Sequence, residues 1–323
     1  MKKLLGLLLL VLVLASCEGT REPELPLVLV AADGGGLSFY RTAALREGDA
    51  TPIGRWTVPG VVDLAGGEKL WVLTGTELRR YATGGFTPDA APGEGDALEG
   101  AWTIPVSCPG GHLALGEADL LVFCAPDRVY RLAKGAAAGD PLTPVDTAAF
   151  QSFTPLDLAL FPGDAGDRLA LAYARASGWH LELLEGSPPF SRDLPTPTDP
   201  DPLRLYLAPA DGVLWVLAGN ELWRFDGSEI ARKSTAQNAR PARLTGDLGL
   251  VVAYGEGYLA WNGSRTEEVA YPVFNAGWLD PDLYLYLATD EGLTLYDAAG
   301  LPLTPLRTLS LSGIRALSGF VLR

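Results

Sequence analysis

The chain is poor in the residues on which metal, thiol and acid–base chemistry is usually built. Among its 323 residues are two histidines, three cysteines and one methionine, at position 1. A zinc site needs three or four converging nitrogen, sulfur or oxygen ligands. His112 and His180 each stand without a second histidine or a cysteine at ligand spacing, and no C-x-x-C pair occurs, so neither a metal nor a cofactor is expected. The G-x-S-x-G turn that presents a serine nucleophile is missing. No glycine-rich phosphate cradle opens a helix, because GEGY and DGGG fall inside hairpin-like stretches. Carboxylates are what remain for chemistry. Asp164 with Asp167, Asp199 with Asp201, and Asp280 with Asp282 occupy candidate turns, yet none has the spacing of a dedicated calcium loop. Asp and Gly are ordinary turn residues, so no catalytic residue is assigned.

Basic charge is scarce as well: 25 Lys and Arg stand against 39 Asp and Glu, a net charge of −14. Affinity for nucleic acid is built from phosphate neutralisation by Lys and Arg, so that partner is excluded. Long apolar runs are absent except at the N-terminus, where Lys2 and Lys3 precede Leu4 to Ala15. A dozen residues is short of the roughly 20 that a membrane-spanning helix needs, and the charged, apolar and small-residue order is that of an export signal. Leu14-Ala15-Ser16-Cys17 resembles the lipobox of bacterial lipoproteins. The resemblance implies removal of residues 1–16 and diacylation of Cys17, with 17–26 as a tether, EGTREPELP, between the lipid and a domain at 27–323. More than one acyl chain makes a stable anchor, so the expected address is the extracytoplasmic face of a bacterial envelope membrane, periplasmic or surface. In an exported protein Cys108 and Cys124 are candidates for a disulfide. The bond would contribute about 3 kcal/mol by closing its loop; two buried free thiols are the alternative.

The dominant feature is a repeat. LWVLTGTELRRY begins at Leu70 and LWVLAGNELWRF at Leu214, and related runs start at Leu29, Leu121, Leu171, Leu250 and Leu285. Six align without a gap, ending at Tyr40, Tyr81, Leu132, Phe225, Trp261 and Tyr296, and the fourth reads as carrying two extra residues around Ser177-Gly178. The start-to-start spacings are 41, 51, 50, 43, 36 and 35 residues, the range of four-stranded propeller blades. Each unit is a short run rich in β-formers, a tight polar or glycine turn, then an alternating strand ending in an aromatic. Another strand lies upstream of each run, as in VVDLAGGEK, HLALGEAD and LRLYLAPADG, and proline-punctuated stretches suited to outer edge strands lie downstream. No amphipathic helix is expected beyond residue 17. In Glu221-Leu222-Trp223-Arg224-Phe225, alternation sends Leu222 and Arg224 to one face and Glu221 with the two aromatics to the other, which reads as packing between blades. The first unit has the tether where its inner strand should be, and the chain ends GIRALSGFVLR. The expected fold is therefore all-β, a seven-bladed β-propeller of four-stranded blades, with Ile314 to Leu317 supplying the missing strand and closing the ring.

Asp211-Gly212-Val213-Leu214-Trp215-Val216 with Gly219 to Gly227, together with Gly292 to Asp297, resembles the propeller repeat of two-component-regulator sensor proteins. The likeness is good in units two, five and seven. Those sensors carry a transmembrane segment and a kinase, which this chain lacks, so the resemblance implies the fold and not the signalling. Export as a lipoprotein also resembles the propeller lipoprotein of the outer-membrane barrel-assembly machinery, although that family's D-x-x-TG-x-x-xW turn is not evident. The expected function is a lipid-anchored, non-enzymatic binding or scaffold protein, monomeric, meeting the membrane through Cys17 and a protein or glycan partner in the envelope. The alternatives are a propeller hydrolase or lyase using channel carboxylates with calcium, and a ligand sensor for a separate signalling partner.

Overall fold

Every repeat unit folds into one antiparallel sheet, and the seven sheets stand in a ring. A computed structural model describes residues 25–124, 128–145, 154–161, 167–175, 178–183, 190–194, 204–208, 213–227, 229–247 and 249–322. The export signal, Cys17, Asp164, Asp199 and Asp201 lie outside the described residues. Blade 2 shows the pattern: Val61–Ala65, Lys69–Thr74, Glu77–Ala82 and Leu98–Thr103 pair in sequence order from the axis outward. Blades 3, 4, 5 and 7 share it, beginning with inner strands His112–Leu115, Thr154–Phe161, Arg204–Ala208 and Ala276–Leu279. In blade 6 one strand, Leu250–Trp261, takes the second and third places: its first half pairs with the inner strand Arg240–Asp247 and its second half with Thr266–Val273. Each inner strand touches the next all the way around, so the ring is closed.

The repeated motif marks the central hairpins. Leu29 faces Tyr40, Leu70 faces Tyr81, Leu214 faces Phe225 and Leu285 faces Tyr296, as the gap-free alignment requires. Three units depart from it, the sixth because Leu250 and Trp261 lie on one strand and pair with Asp247 and Thr266. Leu121 faces Arg131, one residue short of the aligned Leu132. In the fourth unit Leu171 faces Glu182, the same offset as Leu70 and Tyr81, so this hairpin carries no insertion. The Thr-x-x-Glu and Thr-x-x-Gly turns work through one hydroxyl: Thr74 Oγ1 accepts the Glu77 N–H at 2.9 Å, and Thr289 Oγ1 accepts the Gly292 N–H at 3.2 Å. Such local bonds hold a turn without cost to the ladders.

Because both faces of every sheet are covered, the core is divided among the interfaces. Seven apolar clusters are present among the described residues, one for each pair of neighbouring blades. Phe225 joins the cluster with blade 4, where it lies 4.3 Å ring to ring from Phe190, while Leu222 joins the cluster with blade 6. The alternation in ELWRF thus serves two interfaces. Cys108, ahead of blade 3, is bonded to Cys124 in its second strand. Gly111 lets them approach: a Cβ there would sit 2.4 Å from Cys108 Sγ and 2.7 Å from the Phe123 carbonyl oxygen.

The C-terminus closes blade 1, but through Ala316–Val321 instead of Ile314–Leu317. The whole of Leu27–Ala32 is paired, Leu27 with Val321 and Ala32 with Ala316, and Ile314 is buried just outside the strand. Pairing along the full N-terminal strand fixes the register, a tertiary constraint invisible in the tail's own pattern. Among the described residues two short helices interrupt the expected all-strand layout, Thr42–Glu47 and Glu94–Ala97. The first ends at Gly48 with φ 98°, a left-handed cap suited to glycine, and it buries Leu45 at the junction with blade 7.

That helix also carries Arg46, whose Nη1 lies 3.8 Å from Asp280 and 3.9 Å from Asp282 of blade 7, with the guanidinium 4.3 Å above the Tyr284 ring. Asp280 accepts the Tyr284 N–H at 2.8 Å and the Tyr286 hydroxyl at 3.2 Å. The turn Asp280–Asp282 is therefore a joint across the closing seam. Burial, helped by the Asp282 charge, pushes the Asp280 carboxyl up to about 6 from 3.8, against the Tyr284 N–H and Arg46. An acid with a raised folded pKa stabilises the fold fully below its unfolded value and loses that contribution as pH rises through the folded value.

The seam can be tested by truncation and by titration. Deleting residues 316–323 should abolish cooperative urea unfolding, and Phe320→Ala, which empties a site 2 % exposed, should cost about 3–5 kcal/mol. Between pH 4.5 and 7.5 ionisation of Asp280 should cost about 2 kcal/mol, so Asp280→Asn should flatten the wild-type decline in unfolding free energy by that amount across this window.

Candidate functional site

The inner strands enclose a central cavity of about 590 Å3. Their sequences share one position, a leucine, preceded by a residue that varies among Asp, His, Arg, Trp and Ala: Asp63-Leu64, His112-Leu113, Asp157-Leu158, Arg204-Leu205, Arg243-Leu244, Trp278-Leu279 and Ala316-Leu317. Asp63, His112, Asp157, Arg243 and Trp278 line the cavity. The Arg204 side chain lies outside the described residues.

Three of these residues share a local distortion. The ladder shifts register between Val61 and Asp63, between Pro155 and Asp157, and between Pro241 and Arg243. A bulge adds one unpaired residue, bends the strand and re-aims the next side chain. Here each bulge immediately precedes a charged residue of the channel. Arg243 comes two positions after Pro241, which has no N–H to give to a ladder.

The charged side chains interact around the ring. His112 Nε2 lies 2.6 Å from Asp157 Oδ1, joining blades 3 and 4, and the Asp157 residue is 2 % exposed. Asp63 Oδ2 accepts the Leu113 N–H at 2.7 Å, joining blades 2 and 3. Burial raises the Asp63 pKa, opposed by the Leu113 N–H and by the positive charge of His112 and Arg243. Arg243 Nη1 donates to the carbonyl oxygens of Asn275 at 3.0 Å and Arg315 at 3.4 Å, which are neutral acceptors. Burial also pushes the Tyr254 phenol above its ordinary value, against the nearby Arg243 charge. The channel therefore holds carboxylates on one arc and a guanidinium on another. This can bind and orient a polar ligand by charge-assisted hydrogen bonds.

The residues singled out from sequence fall elsewhere, apart from His112. Asp167 is a hydrogen-bond acceptor for the hairpin of blade 3: its carboxylate takes the N–H groups of Glu117 at 2.9 Å, Ala118 at 2.8 Å and Asp119 at 3.2 Å. Glu268 serves the turn at Gln237 to Ala239 in the same way, and those N–H groups hold its carboxyl below the usual range despite partial burial. Asp280 and Asp282 belong to the seam. Among the described residues no group of three or more His, Cys, Asp and Glu side chains gathers as a metal site would require. His180 lies in the third strand of blade 4, with Nδ1 2.6 Å from Asp193 and Nε2 2.7 Å from Ser191. That is the bonding order of a hydrolase triad. The Asp193 side chain is 75 % exposed, however, and so lacks the burial by which a triad carboxylate holds its imidazole.

Sequence reasoning missed Asp63, Asp157 and Arg243. The signal that locates them is the non-repeating residue before the repeated leucine, read together across all seven inner strands.

Comparison with known proteins adds the fold. No family model matches the chain, and no curated protein matches it. Among solved structures it is similar to AztD of Citrobacter koseri, at 12 % identity over 92 % of this chain and 98 % of that one, with a TM-score of 0.57. It is also similar to the extracellular domain of the putative one-component system BT4673 of B. thetaiotaomicron, at 14 % identity and a TM-score of 0.54. That match covers 83 % of this chain and 38 % of the other.

Proposed function

We propose that this protein is a lipid-anchored, extracytoplasmic binding propeller without enzymatic activity, and that its central channel is where a ligand is held. The observation that carries the reading is the convergence of Asp63, His112, Asp157 and Arg243, from four blades, on one cavity of about 590 Å3. That size falls within the range of about 300–1,000 Å3 common to ligand pockets. Three bulges stand immediately before three of these four residues, and bulges gather where a strand must re-aim a side chain for function. Export and anchoring rest on the lysine-led apolar run and on Leu14 to Cys17. The similarity to an extracellular domain agrees with that address, and among the described residues no helix is long and apolar enough to cross a membrane.

Gly67 lines the channel, and a Cβ there would make only an ordinary contact with Leu115, so Gly67→Trp narrows the channel without backbone strain. Native mass spectrometry of the detergent-solubilised lipoprotein should show a small-molecule adduct on the wild type that is lost from Gly67→Trp at unchanged melting temperature. Equal adducts on both proteins, or none on either, would refute the channel as the binding site. In membrane fractionation Cys17→Ser should move the protein out of the membrane fraction; an unchanged distribution would refute the lipid anchor.

A further inference from the structure

The charges of the channel define the ligand more narrowly. Asp63 faces the cavity with, among the described residues, only the backbone N–H groups of Leu113 and Leu64 as hydrogen-bond partners. Arg243 faces the same cavity with the carbonyl oxygens of Asn275 and Arg315 and the neutral Tyr254 phenol as its hydrogen-bond partners. Each charge bears on the other, yet among the described residues no ion pair joins Arg243 to a carboxylate. The nearest acid–base contact, His112 with Asp157, is already made on the Asp63 side of the channel. Two opposite charges are thus fixed by neutral groups, three blades apart around the ring, and among the described residues neither has a counter-charge in hydrogen-bond contact.

We infer that the channel binds a small zwitterion of the α-amino-acid type, with its carboxylate on Arg243 and its ammonium on Asp63. This rests on the channel being the binding site. A guanidinium held by neutral acceptors keeps its remaining N–H donors for a carboxylate, in planar paired geometry. A carboxylate held by backbone N–H groups in a buried position is relieved by an ammonium that brings both charge and donors. A simple anion would satisfy Arg243 and crowd Asp63 and Asp157. A simple amine would do the reverse, and a neutral sugar would leave both charges uncompensated while displacing their water. Trp278, on blade 7, is also among the residues that line the cavity, its ring stacked on Tyr286.

Isothermal titration of the full lipoprotein in detergent separates these classes with defined probes: glycine, serine, glutamate and lysine as zwitterions, acetate and ethylamine as the two halves, and maltose as a neutral polyol. At least one amino acid should bind at least about tenfold more tightly than acetate or ethylamine. Arg243→Gln and Asp63→Asn, each checked for wild-type melting, should each weaken that binding about tenfold, with Arg243→Lys intermediate. Equal binding of acetate or ethylamine, preferential binding of maltose, or no binding of any amino acid would overturn the zwitterion. In each of those cases an adduct lost in Gly67→Trp would keep the channel as the binding site, whereas its absence would end both readings.

Discussion

The six-residue ladder between Leu27–Ala32 and Ala316–Val321 is the constraint on which the rest of the molecule depends. Each blade buries both faces, and each interface cluster is built from two blades, so no blade is complete by itself. The ladder joins residues almost 300 positions apart in sequence, and its loop-closure entropy must be met before any local reward appears. Around it the same seam is reinforced by different chemistry. Arg46 reaches Asp280 and Asp282, Leu45 and Tyr286 share a cluster, and Gly319 admits the Trp278 ring, which a Cβ would meet at 2.2 Å. These polar and apolar contacts bind the N-terminal part of blade 1 to blade 7, while the chain itself links blade 7 to the closing strand Ala316–Val321.

Closure also makes the channel. An inner strand has a channel-facing side only because its neighbours curve away on both flanks, so the geometry of the candidate site is a property of the ring and not of any blade. This explains how Asp63 of blade 2 and Leu113 of blade 3 come to share a hydrogen bond, and how Arg243 of blade 6 reaches the Arg315 carbonyl beside blade 1. These inter-blade bonds fix side-chain directions as second partners fix a ligand-binding group in any pre-formed pocket. Loosening the seam would disturb them without touching a channel residue.

How much of this could be read from the sequence depends on the range of the forces involved. The central hairpins were legible because alternation and turn chemistry are local: Leu214 to Phe225 and Leu285 to Tyr296 pair as aligned. The extent of the closing strand was not, because Ile314 and Phe320 are both apolar and only the partner strand decides which lies in the ladder. Bulges escape the same way. Val61, Val62 and Asp63 carry no mark of a bulge in their own residue types, and only the paired strand shows that one residue is extra. His112 was legible as a strand residue and illegible as a partner of Asp157, 45 positions away, for the same reason.

The leucine next to each channel residue explains why the site could diversify inside a repeat. Leu64, Leu113, Leu158, Leu244, Leu279 and Leu317 each pack into the cluster shared with the preceding blade. That duty recurs at every interface, and so the residue recurs. Its neighbour is relieved of it, since a strand sends successive side chains to opposite sides and the three bulges detach the neighbour further from the ladder. Asp, His, Asp and Arg can therefore occupy equivalent places without disturbing the stack, whereas Trp278 at the same place packs on Tyr286 in the seam. The blades of this propeller are alike where they bear on one another and unlike where they face the axis, and the unlike residues are the ones that carry charge.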